Sequence, residues 1–291
     1  MNFDKVNHSI LLLRKAEKLA LMLNPQDGFW LAFSGGKDSQ AILELTKMSG
    51  VKFHAYYNVT TIDPPKNVRF IREEYPEVTF IHPKETFLQL IQHKNMLPNG
   101  MIRFCCTAFK ENIGKGNAVI TGVRAEESVK RRINGREISK QVGGSKNTKA
   151  RERELAREKD GLKELERMEE VSFSCVHGND KFMVLPILDW TEEEVWSFLE
   201  WRQVPKNPIY QYATRCSCMF CPLKNSTAIY ADVSLYPKFY KNLLNTIGKM
   251  ISKGAFKNIV EKYDPTPREI FDWWASKQKA DVFFTNLRKL K

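Results

Sequence analysis

Apolar residues between positions 5 and 23 recur at three- and four-residue steps (Val6, Ile10, Leu13, Ala16, Leu19, Ala20, Leu23), the spacing of one helix face. Asn24-Pro25 ends that helix. Phe29–Phe33 is a short apolar run that reads as a strand; a polar, glycine-containing loop from Ser34 to Ser39 follows, and Ala41-Ile-Leu-Glu-Leu45 opens a second helix. The alternation continues with a strand over Val51–Asn58, a helix over Pro65–Glu74, a strand over Val78–Ile81, a helix over Thr86–His93 and a strand over Ala118–Val123. Residues 133–170 interrupt it with Gly143-Gly144 and a run of alternating charge, which reads as a solvated helix or insertion. Met183–Leu188 resumes as a strand, Asp189-Trp-Thr191 is a helix N-cap signal, and Glu192–Leu199 is a helix with acidic residues in its first turn. The remainder is helical and rich in aromatics. Strands alternating with helices predict an α/β fold with a doubly wound, mostly parallel sheet. The expected division is a nucleotide-binding domain over 1–225, carrying the insertion at about 133–170, and a helical basic region over 226–291.

Composition sharpens this picture. The chain has 291 residues, 42% of them hydrophobic and 27% charged, which excludes a disordered or collagenous protein. No apolar stretch is long enough for a membrane span, so the expected location is the cytoplasm, without a membrane partner. The net charge of +12 is uneven: residues 130–149 contribute +6 and residues 238–291 contribute +7, leaving −1 for the rest. Such patches serve nucleic acid, anionic lipid or a small polyanionic ligand.

Two constellations carry chemistry. Ser34-Gly-Gly-Lys-Asp-Ser39 lies between a strand and a helix, where free backbone N–H groups and the helix dipole favour an anion. Its glycines admit phosphate oxygens, Ser34 and Ser39 add hydroxyls, Lys37 a charge, and Asp38 a carboxylate for Mg²⁺ or for a neighbouring group. It is neither a Walker loop nor a G-x-G-x-x-G turn. Five of six cysteines fall in two clusters, Cys105-Cys106 and Cys216-x-Cys218-x-x-Cys221, while Cys175 stands apart beside His177 and reads as a core or loop residue. Two thiol pairs suit Zn²⁺ or an iron–sulfur cluster, and spacing alone does not separate them.

The loop resembles the signature of the PP-loop adenine-nucleotide α-hydrolase superfamily. Within it the chain is most similar to the phosphoadenosine and adenosine phosphosulfate reductases. Four further segments match in order: Asn58–Pro65, Arg103–Lys110, Gly122–Arg131 and Pro186–Trp196. The resemblance implies an adenine nucleotide, ATP or an adenylyl sulfate, at the carboxyl ends of the strands, held by Ser34, Gly35, Gly36, Lys37, Asp38, Ser39, Asn58 and Gly122. Asp38, Lys110, Arg124 and Arg131 would be the catalytic groups, the arginines meeting phosphate or sulfate and Lys110 standing between cluster and substrate. Glu126 and Glu127 would orient the arginines. It also implies a [4Fe–4S] cluster, with zinc as the alternative, on Cys105, Cys106, Cys218 and Cys221, and Cys216 as the alternate ligand.

The chain departs from these reductases at one place: it has no cysteine after Cys221, where they carry a nucleophilic tail thiol. The 238–291 segment instead interleaves Lys238, Lys241, Lys249, Lys253, Lys257, Lys262 and Arg268 with Phe239, Tyr240, Phe256 and Tyr263, the pattern either of a helical domain with an aromatic core and a solvated lysine face or of a surface that contacts phosphates and stacks bases. Three expectations follow. One is reductive release of sulfite from an adenylyl sulfate, with a thiol or electron-donor partner. The second is ATP-dependent sulfur modification of DNA or tRNA, with Mg²⁺. The third is a nucleotide-sensing subunit.

Overall fold

A computed structural model of the chain describes residues 2–111, 114–141, 160–170 and 181–289. Cys175, His177 and the middle of the 133–170 segment lie outside the described residues. Six strands form one sheet: β1 (Phe29–Phe33), β2 (Phe53–Asn58), β3 (Thr79–Ile81), β4 (Ala118–Ile120), β5 (Ile138–Gln141) and β6 (Lys181–Val184). Their order is β3-β2-β1-β4-β6-β5. All pairs are parallel except β5 with β6. After β1 the chain builds β2 and β3 on one side and returns to place β4 on the other. β1 therefore flanks the switch point, where open sheets of this class bind ligands.

The chain divides into two compact units. The first comprises residues 1–58, 65–81 and 112–216, and the second residues 59–64, 82–111 and 217–291. In the first, β1 buries Phe29, Leu31 and Phe33 by simple alternation. The helix α1 (Phe3–Leu23) buries Leu12, Leu13, Ala16, Leu19 and Ala20, and α2 (Lys37–Ser49) buries Ala41, Ile42, Leu43 and Leu45. The helices α3 (Pro65–Glu74), α5 (Val129–Asn134), α6 (Gly161–Glu170) and α7 (Glu192–Trp201) complete this unit. α7 starts at the capping box of Thr191 and Glu194, as its sequence predicts.

Two expectations change. The strand expected over Met183–Leu188 ends at Val184 and the chain turns, Leu188 N–H bonding Leu185 O. Pro186 has no N–H with which to continue the ladder. The charged segment is not wholly solvated either. Its start forms the edge strand β5, and in α6 Glu164 and Leu165 are buried.

The second unit is helical. It holds α4 (Phe87–Lys94), a turn at Phe104–Cys106 that runs on over Thr107–Glu111, α8 (Ser226–Leu235), α9 (Pro237–Ser252), α10 (Lys257–Tyr263), α11 (Pro267–Ser276) and α12 (Ala280–Lys289). Its core joins Leu90 and Ile91 of α4 to Ile247 and Met250 of α9 and to Phe220, Ile270, Phe271 and Phe284. The Trp274 indole donates to Pro98 O at 2.6 Å, tying the 82–111 segment to the C-terminal helices. The helical region from 226 onward thus shares its core with residues 82–111.

Candidate nucleotide site and cysteine cluster

β1 delivers the chain directly into the loop Ser34–Ser39, and α2 begins at Lys37. Gly35 has φ +74°, and a Cβ there would stand 2.6 Å from Asn67 Oδ1, so the position takes glycine on two counts. Two buried amides fix the peptide planes of the loop. Asn67 Nδ2 donates to Ser34 O at 3.1 Å, and Asn207 Nδ2 donates to Gly35 O at 2.8 Å and to Asn67 Oδ1 at 2.7 Å. These amides hold the carbonyls of Ser34 and Gly35. Ser34 N–H bonds Ser39 Oγ at 3.1 Å, and Ser39 Oγ–H bonds Gly36 O at 2.8 Å. The N-cap of α2, Gly36, has no side chain; the Tyr210 hydroxyl takes the Lys37 N–H at 2.8 Å. Burial holds the Tyr210 phenol above its ordinary pKa, so it stays protonated. Cys216 also lies at this loop, its Sγ 3.1 Å from Asn67 Oδ1 and 3.8 Å from Ser34 O.

The cations of the loop are internally compensated. Arg124 Nε bonds Asp38 Oδ1 at 2.7 Å, Nη1 bonds Glu126 Oε2 at 2.5 Å, and Nη2 lies 3.9 Å from Glu192. Lys37 Nζ lies 3.4 Å from Asp38 and 3.6 Å from Glu192. The Lys37 and Arg124 side chains are 4% and 3% exposed, so both charges depend on these partners. Burial opposes the Arg124 charge, but Asp38 and Glu126 outweigh it and raise its pKa. The Glu192 N–H, at 2.7 Å, and Arg124 hold the Glu126 carboxyl below its usual range. Arg131 is not brought to Asp38; it pairs with Glu127 and lines a cavity with His8, Arg132, Glu137 and Asp189. Glu127 reaches both arginines, since it also accepts the Arg124 N–H at 3.3 Å.

Among the described residues, two polar atoms at the neighbouring strand ends have no hydrogen-bond partner: Asn58 Oδ1, at the end of β2, and Thr121 Oγ1, just after β4, both buried. Buried polar atoms left unpaired are costly, and a partner at either position would offset that cost. Gly122 has a packing reason as well, since a Cβ there would stand 2.8 Å from the Asp38 backbone.

All four expected metal ligands fall in the second unit. Cys105 is buried in its core, and Cys106 and Cys218 pack against it. The Cys105–Cys106 hydrogen bond, with burial, raises the Cys105 pKa; the same bond lowers that of Cys106 to about 6, with Lys110 and Arg103 assisting and burial opposing. Burial raises the Cys221 thiol, and the charges of Cys218 and Cys106 add to the effect. Lys110 Nζ lies 3.3 Å from Cys218 Sγ, and Thr60 Oγ1 lies 3.7 Å from it. Among the described residues no three ligating side chains converge closely enough to enclose an ion. Thiols are the ligand type that zinc and iron–sulfur clusters take, and this unit supplies four, with the Lys110 ammonium beside Cys218.

The chain matches the phosphoadenosine phosphosulfate reductase domain over residues 28–253. It belongs to that family. The match runs from β1 through the loop, both cysteine clusters and α9, and it places the chain in the PP-loop superfamily. Solved structures resemble it at low identity. The FMN adenylyltransferase of Candida glabrata with FMN and an ATP analogue is 14% identical, covering 79% of this chain and 74% of its own, with a TM-score of 0.43. The phosphoadenylyl-sulfate reductase of Candida auris, in a phosphate complex, is 14% identical over 72% and 92%, with a TM-score of 0.39. The U34-tRNA thiolase NcsA of Methanococcus maripaludis, with its [4Fe–4S] cluster, is 15% identical over 86% and 80%, also at 0.39. No curated protein matches the sequence.

Within this phosphosulfate-reductase-family site, sequence reasoning missed Asn67, Asn207, Tyr210, Thr121 and Glu192. Asn67 and Asn207 are distant in sequence from the loop they clamp, so its local pattern does not point to them. Glu192 read simply as a favourable first-turn acid of α7. No helix among the described residues is long and apolar enough to cross a membrane.

Proposed function

We propose that the protein is an ATP-dependent, adenylylating PP-loop enzyme that prepares an acceptor for sulfur insertion. The carrying observation is the charge balance at the loop: two buried cations, Lys37 and Arg124, face three carboxylates, Asp38, Glu126 and Glu192. A bare anion would meet that excess of negative charge, whereas a triphosphate accompanied by a divalent cation is matched to it. Asp38 and Glu192 would hold Mg²⁺, which supplies charge neutralisation at the phosphates. The Ser34–Ser39 backbone would bind the phosphates, with Asn58 and Thr121 supplying polar contacts elsewhere on the nucleotide. An acceptor oxygen attacks the α-phosphorus, the bond to the β-phosphate breaks, and pyrophosphate leaves, its growing charge met by Lys37. A sulfide-level donor then attacks the carbon bearing the adenylylated oxygen, and AMP departs with the C–O electron pair. Cys105, Cys106, Cys218 and Cys221 would hold an iron–sulfur cluster, which would supply a sulfur-binding or electron-transfer centre.

A second reading, reduction of an adenylyl sulfate, is favoured by one observation: the Cys216 thiol lies at the phosphate loop. Its thiolate would attack the sulfate sulfur, forming S–S and breaking the S–O bond to phosphorus. A thiol reductant would then release sulfite and leave a disulfide.

Anaerobically purified protein with ATP and Mg²⁺, assayed for pyrophosphate, tests the first reading. Sulfite from an adenylyl sulfate plus thiol, abolished by Cys216→Ser and without pyrophosphate from ATP, replaces it with the second. Nucleotide binding with neither product overturns both in favour of a sensor.

A further inference from the structure

The second unit holds seventeen basic and nine acidic residues, +8 of the chain's +12. Several lysines elsewhere are ion-paired, Lys5 with Glu194, Lys15 with Glu166, and Lys47 with Glu44 and Glu77. α9 differs. It contains no carboxylate, and Lys238, Lys241, Lys249 and the adjoining Lys253 are exposed with no ion pair among the described residues. With Asn242, Asn245 and Ser252 they occupy one face, at steps of three and four residues, opposite Leu243, Ile247 and Met250 in the core. From Lys238 to Lys253 the stripe runs about 22 Å at helical rise.

Beside it lies an open cleft lined by Asn245, Gly248, Lys249, Ser252, Thr266 and Arg268. A Cβ on Gly248 would meet only Pro267 Cγ, at 3.5 Å, so the glycine keeps the cleft floor low without any tight backbone approach. The aromatics interleaved with these lysines in sequence turn the other way. Phe239 and Tyr240 stack on Phe220, Phe256 lies edge-on to Trp273, and Tyr263 stacks on Phe284. Of the two readings of this pattern the fold has the aromatic core with a solvated lysine face: the cations face solvent and the rings pack against the core.

We infer that α9 is a docking surface for the phosphate backbone of a nucleic acid duplex. A row of uncompensated ammonium groups with hydrogen-bonding amides between them matches closely spaced phosphates. No ring stands on the stripe to take an unstacked base, so paired nucleic acid is bound in preference to single strands. Binding is sequence-independent. The surface names the acceptor class for the adenylylating activity and rests on that reading for this role only. The binding itself does not depend on it.

The test is therefore made without nucleotide. The full chain is titrated against a labelled duplex of about 20 base pairs, the matching single strand, a tRNA and poly-glutamate, from about 50 to 200 mM salt. The duplex and the helical tRNA should bind more tightly than the single strand, and poly-glutamate more weakly than any of them. The quadruple variant K238Q/K241Q/K249Q/K253Q, with unchanged circular dichroism, should lose about tenfold or more in duplex affinity and reduce the log–log salt slope by about 3 to 4. A variant that fails to fold is replaced by the pairs K238Q/K241Q and K249Q/K253Q, each losing about half that slope. No duplex binding at low salt, an unchanged slope in the variants, or equal affinity for poly-glutamate would overturn the inference. Pyrophosphate release is assayed separately, so loss of the enzymatic reading leaves this result interpretable.

Discussion

The phosphate loop and helix α9 are both rich in cations, yet they treat charge in opposite ways. At the loop, Lys37 and Arg124 are buried and countered by carboxylates from three separate chain segments. On α9 the lysines are exposed and uncompensated. Buried, paired cations depend on geometry, and removing one partner strands the other. Exposed, unpaired ones contribute little to stability and act through long-range attraction, which salt weakens. Net charge therefore says nothing about use until each cation is placed.

The sharpest way to break this contrast is to delete the loop's arginine. Arg124→Ala leaves Asp38, Glu126 and Glu192 gathered around one lysine and should cost about 3 kcal/mol or more of stability as well as nucleotide turnover. Urea denaturation with and without nucleotide measures it, and a fully stable variant would show that the network is not structural. Asn207→Ala comes next. Losing the bonds to Gly35 O and Asn67 Oδ1 should cost about 1 to 3 kcal/mol and raise KM for the nucleotide more than it lowers kcat. Tyr210→Phe frees the Lys37 N–H for a phosphate oxygen, so nucleotide affinity should rise by about fivefold in calorimetry. A fall would make the hydroxyl part of the anion site.

By contrast, the four α9 lysines changed to glutamine should alter the unfolding free energy by less than about 0.5 kcal/mol. The smallest effect concerns His8, whose Nε2 lies 2.7 Å from Glu137 Oε1. The hydrogen bond to Glu137 raises the His8 pKa above 6.5, against the opposing effect of burial. The pair's contribution is thus full below the unfolded value and is lost as pH rises through the folded one. The melting temperature of the native chain should fall slightly relative to His8→Gln over that interval above 6.5, and parallel curves would refute the coupling.

Much of the loop was legible in the sequence because its determinants are local: glycines at the turn, an apolar strand before it, an amphipathic helix after it. Its electrostatics were not. Arg124 read as an anion-facing group, and the acids that engage it come from residues 38, 126 and 192. Their convergence follows from the sheet order, which local periodicity does not encode. The same holds for Asn67 and Asn207, ordinary surface types by composition yet 3% and 1% exposed here. α9 was more legible. The interleaved lysines and aromatics read either as one binding surface or as a helix with an aromatic core and a solvated lysine face, and the helical geometry has the second arrangement.

The sheet's margins carry a consequence for self-association. An open sheet invites a strand from another molecule wherever its outermost ladder is long, flat and unguarded. Here the outermost strands have three residues (β3) and four (β5), and β5 reverses direction with Lys140 lying over the Phe182 ring. Neither margin offers a foreign chain more than a few backbone bonds. The stretch that breaks the α/β rhythm in the sequence thus begins as the hem of the sheet, closing with a reversed strand the side on which β6 would otherwise be exposed.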